Sequence, residues 1–159
     1  MTKNELRKKF RHLATQNLDP AEYCKQAVHY IQKSNSNYDW VGVYVAKPEA
    51  LEIPDNSYYV GPVTQHAVIP YDEGICGAAA TQRETIVVDD VNEDPRFIAC
   101  SIATRSEIVV PIEKDDTLFG VLDLDSDTLA AFTPEDQQFL EDASVLMAEY
   151  LEQNFARIK

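Results

Sequence analysis

The stretch SEIVVPIEKDDTLFGVLDLDS, residues 106–126, constrains the fold more than any other part of the chain. Two apolar runs rich in β-branched residues flank a KDD turn signal, which predicts a β-hairpin. Strand alternation places Asp123 and Asp125 on one face, about 6.6–6.8 Å apart along the strand, with Leu122 and Leu124 on the other. With Lys114, Asp115 and Asp116 as a three-residue loop, Glu113 pairs with Thr117 and Glu107 lies across from Asp123. One sheet face then carries three carboxylates. A register slip of one residue would set Leu122 or Leu124 opposite Glu107 and scatter them.

Two readings of that face stand. In the first it meets solvent, and the acids are the polar half of an ordinary alternation. In the second it is a site. Like charges placed opposite one another destabilise a hairpin, so the trio calls for a cation or for an acid kept protonated by crowding and burial. Both outcomes describe a place for an ammonium group and for a polar oxygen that needs a proton.

The rest of the chain predicts a mainly antiparallel sheet packed on helices, an α+β fold. Residues 3–16 read as a helix, and Asp19-Pro20 opens a second one with an N-cap followed by proline at the first position. Cys24, Ala27, Val28 and Ile31 form its apolar face. DWVGVYVA is a strand with Trp40, Gly42 and Tyr44 on one side, and Gly42 leaves open space between the aromatics. KPEALEIPDNS reads as a loop or irregular hairpin connection, SYYVGPV and HAVIP as short strands, and a short helix is expected from about Gly74. TIVVDDV is a strand, and NEDPRFIACSIATR is a long loop. Thr133-Pro134 caps a last helix striped by Phe139, Leu140, Ala143, Leu146, Met147 and Tyr150. With 159 residues and no linker or repeat, one domain is expected, with terminal helices at about 3–33 and 134–156 around a sheet core at about 38–127.

Composition narrows the partners. A net charge of −13, from 27 acids against 14 bases, argues against nucleic acid or an anionic membrane. The basic residues Lys3, Arg7, Lys8, Lys9 and Arg11 read as a solvated helix face. The N-terminal sequence lacks a signal-like apolar core, no run is long enough to span a membrane, and a cytoplasmic location follows as the expectation. Three cysteines without dense spacing do not make a secreted disulfide framework.

Those cysteines differ in setting. Cys24 sits on an apolar helical face and reads as core. Cys76, in Gly-Ile-Cys-Gly, is either a small apolar residue in a tight turn or a thiol whose pKa a helix N-terminus lowers. Cys100 lies in the long loop, where a functional thiol is more expected than an inert one. Trp40 and Tyr44 form either an aromatic core pair or the wall of a pocket. No metal site is read: there is no C-x-x-C, and His12, His29 and His66 show no ligand spacing with the cysteines.

The runs DWVGVY, IPYDEGICGAAA, DPRFIACSIATRSEIVVPI and GVLDLDS together resemble the small single-domain GAF proteins that include the free methionine-(R)-sulfoxide reductases. The resemblance covers roughly residues 38–145 and implies a central antiparallel sheet with a ligand enclosed beneath loops. It implies that Trp40 and Tyr44 house the thioether end of the substrate, and that Glu107, Asp123 and Asp125 handle its polar groups and the sulfoxide oxygen. It implies Cys100 as nucleophile, Asp125 or Glu107 as proton donor, and a disulfide between Cys100 and a partner, reduced by an external dithiol such as thioredoxin. No metal or organic cofactor is implied. One position departs from the family pattern: where such reductases carry a further cysteine, ten residues before Cys76, this chain has His66. Cys76 is then the remaining partner for Cys100. A non-catalytic GAF module that binds a metabolite or senses redox state is the rival expectation. A purely structural protein dimerising through its terminal helices is a third.

Overall fold

The computed structural model describes residues 2–98 and 103–158. Helix α1 (Lys3–Thr15) begins at a capping box in which Thr2 and Glu5 satisfy each other's backbone N–H groups. Helix α2 (Pro20–Lys33) is capped by Asp19, with proline where a missing N–H costs nothing. Strand β1 (Trp40–Ala46) follows. The segment expected as a loop or irregular hairpin connection contains a strand, β2 (Ala50–Glu52), which forms a hairpin with β1. Strands β3 (Tyr59–Val60) and β4 (Val68–Pro70) precede helix α3 (Gly74–Gln82) and strand β5 (Ile86–Val88). The hairpin is β6 (Ser106–Lys114) and β7 (Thr117–Ser126), and α4 (Pro134–Asn154) closes the chain from a second capping box at Thr133 and Asp136.

All described strand pairs are antiparallel, in the order β4-β2-β1-β7-β6-β5, with β3 also on β1. The period-2 pattern divides this sheet into two unlike faces. Val41, Val43, Val45, Ile108, Val110, Ile112, Leu122 and Leu124 are buried on one face, against which α2 and α4 pack, with α1 laid across those helices. Cys24, Ala27, Val28 and Ile31 are fully buried there, as their helical spacing predicts. Of the stripe on α4, Leu140, Ala143, Met147 and Tyr150 are buried, while Phe139 and Leu146 are half-buried at its margins. The other face carries α3.

The hairpin register differs from expectation. Only Asp115 and Asp116 form the turn, both with positive φ (50° and 66°), so Lys114 rather than Glu113 pairs with Thr117. A bulge then breaks the ladder between Ile112 and Glu113, where Phe119 is the extra residue, and Ile112 pairs with Gly120. Glu107 consequently faces Asp125, and Val109 faces Asp123. None of the helices among the described residues is long and apolar enough to cross a membrane.

Candidate functional site

Two rows of side chains run across the sheet beneath α3. One comprises Val88, Glu107, Asp125 and Trp40; the next comprises Ile86, Val109, Asp123, Gly42 and Tyr59. The three acids therefore share a face, as strand alternation requires, but the face is not solvated. Glu107, Asp123 and Asp125 are 6%, 3% and 5% exposed, which excludes the solvent-facing reading.

Helix α3 is what covers them. It approaches the chain at Pro70 and Tyr71 so closely that a Cβ on Gly77 would lie 2.8 Å from the Tyr71 carbonyl oxygen, and only glycine fits. That approach seats the first turn of α3, with Cys76 in it, over β6 and β7. Cys76 is buried, with its sulfur within 4.8 Å of carboxylate oxygens of Glu107 and Asp123.

Trp40 and Tyr44 belong to the same face and hold down the loop that joins β3 to β4. The Trp40 indole N–H donates to the Pro62 carbonyl at 3.1 Å, and the Tyr44 hydroxyl donates to the His66 carbonyl at 3.0 Å. The space expected above Gly42 is filled rather than open: the Trp40 ring folds over it, and a Cβ there would come within 2.3 Å of the ring. On its outer side Trp40 stacks on Tyr59, with centroids 5.5 Å apart and planes at 21°. Sequence reasoning did not single out Tyr59; its signal was its place in SYYVGPV, a strand short enough to end beside the acids.

Electrostatics sets the protonation state. Burial pushes the Glu107 carboxyl well above the usual carboxylate range, and the charges of Asp123 and Asp125 push it further. Burial and the neighbouring Asp123 likewise raise Asp125, and burial raises Asp123 less, because Glu107 and Cys76 hydrogen-bond it. Of the three, Glu107 is the acid that burial and two flanking aspartates most strongly favour keeping protonated. One oxygen of each aspartate, Oδ1, has no hydrogen-bond partner although it is buried.

The Cys76 thiol is raised, not lowered, first by burial and then by Asp123, Glu107 and Asp125. A helix N-terminus contributes about 0.3–1 kcal/mol, less than one pKa unit, which three carboxylates and desolvation outweigh. Of the two readings of Cys76, the thiol whose pKa a helix N-terminus lowers is set aside: burial and the neighbouring acids raise it. Cys24 is buried too, and its thiol is raised chiefly by desolvation, as befits core. Cys100 lies outside the described residues. One ligand atom each from Cys76, Glu107 and Asp123 lie within 4.8 Å of one another, the only such group among the described residues.

A buried face that stores a proton between acids, beside a thiol and beneath stacked aromatics, is suited to a small polar ligand with a cationic end and a basic oxygen. The GAF domain family matches residues 19–151 of the chain. The free methionine-R-sulfoxide reductase of Saccharomyces cerevisiae is 39% identical over 113 residues, 69% of this chain. The chain spans 61% of that protein's length, under two thirds. Among solved structures, the type II free methionine-R-sulfoxide reductase of Thermoplasma acidophilum is 34% identical, with a TM-score of 0.77 over 85% of this chain and 96% of that one. The free methionine-R-sulfoxide reductase of Neisseria meningitidis, solved in complex with its substrate, superposes with a TM-score of 0.86 at 29% identity, over 97% and 90% of the two chains.

Proposed function

The chain belongs to the GAF domain family, and from that premise we propose that it is an oxidoreductase that reduces free L-methionine-(R)-sulfoxide to methionine. The observation that carries the reading is the buried Glu107–Asp123–Asp125 cluster, with its stored proton, next to Cys76 and the Trp40–Tyr59 stack. Its similarity to reductases of that name supports the same reaction.

In this reading the aspartate oxygens without partners receive the substrate's ammonium group. Trp40, Tyr44 and Tyr59 line the thioether end. The Cys100 thiol, ionised, attacks the sulfoxide sulfur, and Glu107 or Asp125 delivers a proton to the sulfoxide oxygen. The oxygen passes from the substrate sulfur to Cys100: the substrate S–O bond breaks as a Cys100 S–O bond forms, methionine leaves, and Cys100 is left as a sulfenic acid. The Cys76 thiol then condenses with it, releasing water and forming a Cys76–Cys100 disulfide. An external dithiol of thioredoxin type reduces that bond and is itself oxidised to a disulfide. Cys76 rests as a thiol, so in this second step it gives up its proton to the departing hydroxyl as it attacks the sulfenic sulfur.

His66 bears on the rival reading, a GAF module that binds without turnover. His66 accepts the Tyr44 hydroxyl through its backbone carbonyl, a contact that does not depend on a cysteine side chain. The test is turnover of the separated methionine sulfoxide diastereomers with dithiothreitol. Methionine is expected from the R form alone, with activity lost in Cys100→Ser. Absence of product from the R form, with a ligand still raising the melting temperature, would give the binding module the better claim.

A further inference from the structure

We propose that the reduced site binds one divalent ion of zinc type on Cys76 Sγ, a Glu107 carboxylate oxygen and an Asp123 carboxylate oxygen. The three ligand atoms come from three elements, α3, β6 and β7, and already lie within 4.8 Å of one another. Zinc takes such ligands at about 2.0–2.3 Å, which sets them roughly 3.5 Å apart, so a small closure of side-chain torsions completes the set.

A second observation points to a cation independently. Asp123 Oδ1 and Asp125 Oδ1 are buried without hydrogen-bond partners, on side chains 3% and 5% exposed. A carboxylate oxygen left so costs about 1–3 kcal/mol or more, which an ion offsets. Asp125 is not one of the three ligands, and it lies across the strand pair from Glu107. It therefore supplies charge beside the ion.

The donor set selects among metals. Calcium seeks six to eight oxygens and magnesium a near-ideal octahedron with several waters, so a sulfur among three ligands disfavours both. A mixed thiolate–carboxylate set with an open fourth position fits zinc, and cobalt(II) as its spectroscopic substitute. The ion requires Cys76 as thiolate and Glu107 as carboxylate, so the protons of both leave to solvent on binding, and a Cys76 disulfide excludes the metal.

The binding itself is independent of the reductase reading; its inhibitory consequence rests on that reading. The binding test uses Cys100→Ser protein, reduced and stripped of metal, so that no Cys76–Cys100 disulfide forms. Zinc titrated by calorimetry is expected to bind one per chain. Cobalt(II) is expected to give a near-ultraviolet thiolate-to-metal band. Affinity should fall at least tenfold when Cys76→Ser or Asp123→Asn is added, and stay unchanged when Cys24→Ala is added. No thiolate band, or equal affinity with Cys76→Ser, overturns the proposal and marks an adventitious ion on an acidic surface. The cobalt band is read without Cys76→Ser or Asp123→Asn, so a misfolded variant cannot decide the question. In the second arm, reduced protein without dithiol performs a single turnover of the R sulfoxide. One equivalent of zinc should abolish it. Full turnover with zinc bound overturns the placement of the ion, whereas no turnover in the metal-free control counts against the reductase reading alone.

Discussion

Gly42 carries more of the site than its lack of a side chain suggests. The Trp40 indole occupies the volume a Cβ would need, at 2.3 Å, and from there reaches both the Pro62 carbonyl and the Tyr59 ring. Gly42→Ala must therefore push the indole off the sheet, because the alanine Cβ is fixed to the backbone. We expect a loss of about 1–3 kcal/mol, the range for overpacking a filled core, read from denaturation midpoints. On the proposed reductase reading, KM for the sulfoxide should rise at least several-fold, since the aromatic wall moves with the ring. Unchanged KM would show that Trp40 does not line the substrate. The pairing of Trp40 with Tyr44 on one face was legible from strand period. The collapse of Trp40 over Gly42 was not, since no sequence rule states which way an indole folds.

At the scale of the element, the β6–β7 hairpin shows how two departures can leave a site intact. A three-residue loop would have set Glu107 opposite Asp123; the observed partner is Asp125. A two-residue turn continued by a regular ladder would instead pair Glu107 with Leu124, on the wrong face. The bulge at Phe119 adds one residue to β7, and together the short turn and bulge shift the register by two. Parity is preserved, so the shared face was readable from alternation while the partners across it were not. The turn also stores strain: Asp115 and Asp116 both sit at positive φ, where a primed turn favours Asn-Gly or Asp-Gly. Asp116→Gly is expected to stabilise the fold by about 0.5–1 kcal/mol, raising the melting temperature without altering kcat or KM. A lowered melting temperature would mean that the Asp116 side chain has a stabilising contact. Helix α3 was likewise legible in position, yet its burial of Cys76 against carboxylates depended on long-range packing, which decided between the two readings of that thiol.

At the scale of the whole molecule, a buried acidic cluster makes stability depend on pH in a direction opposite to that of most carboxylates. In the unfolded chain Glu107, Asp123 and Asp125 ionise at about 3.9–4.3. In the fold all three are raised, first by burial, so above that range the native state holds protons that the unfolded state has released. The favourable contribution is complete below the unfolded values and declines as pH rises towards and through the folded ones. The slope is at most about 1.4 kcal/mol per pH unit for each proton retained. Glu107→Gln removes the principal proton carrier and substitutes an N–H donor facing the same aspartates. Its stability relative to the parent should therefore grow from pH 5 to pH 8, in the range of about 1–4 kcal/mol seen when buried charges give way to neutral groups. Turnover should fall by about 10²-fold or more, the scale of a lost proton donor. Urea midpoints at the two pH values, with their slopes, measure the first effect. A stability difference that is the same at both would mean that Glu107 is ionised in the fold, and would remove the stored proton from the mechanism. Growth of the difference together with loss of turnover would indicate that the native state keeps the three acids buried for their chemistry and at some cost in stability.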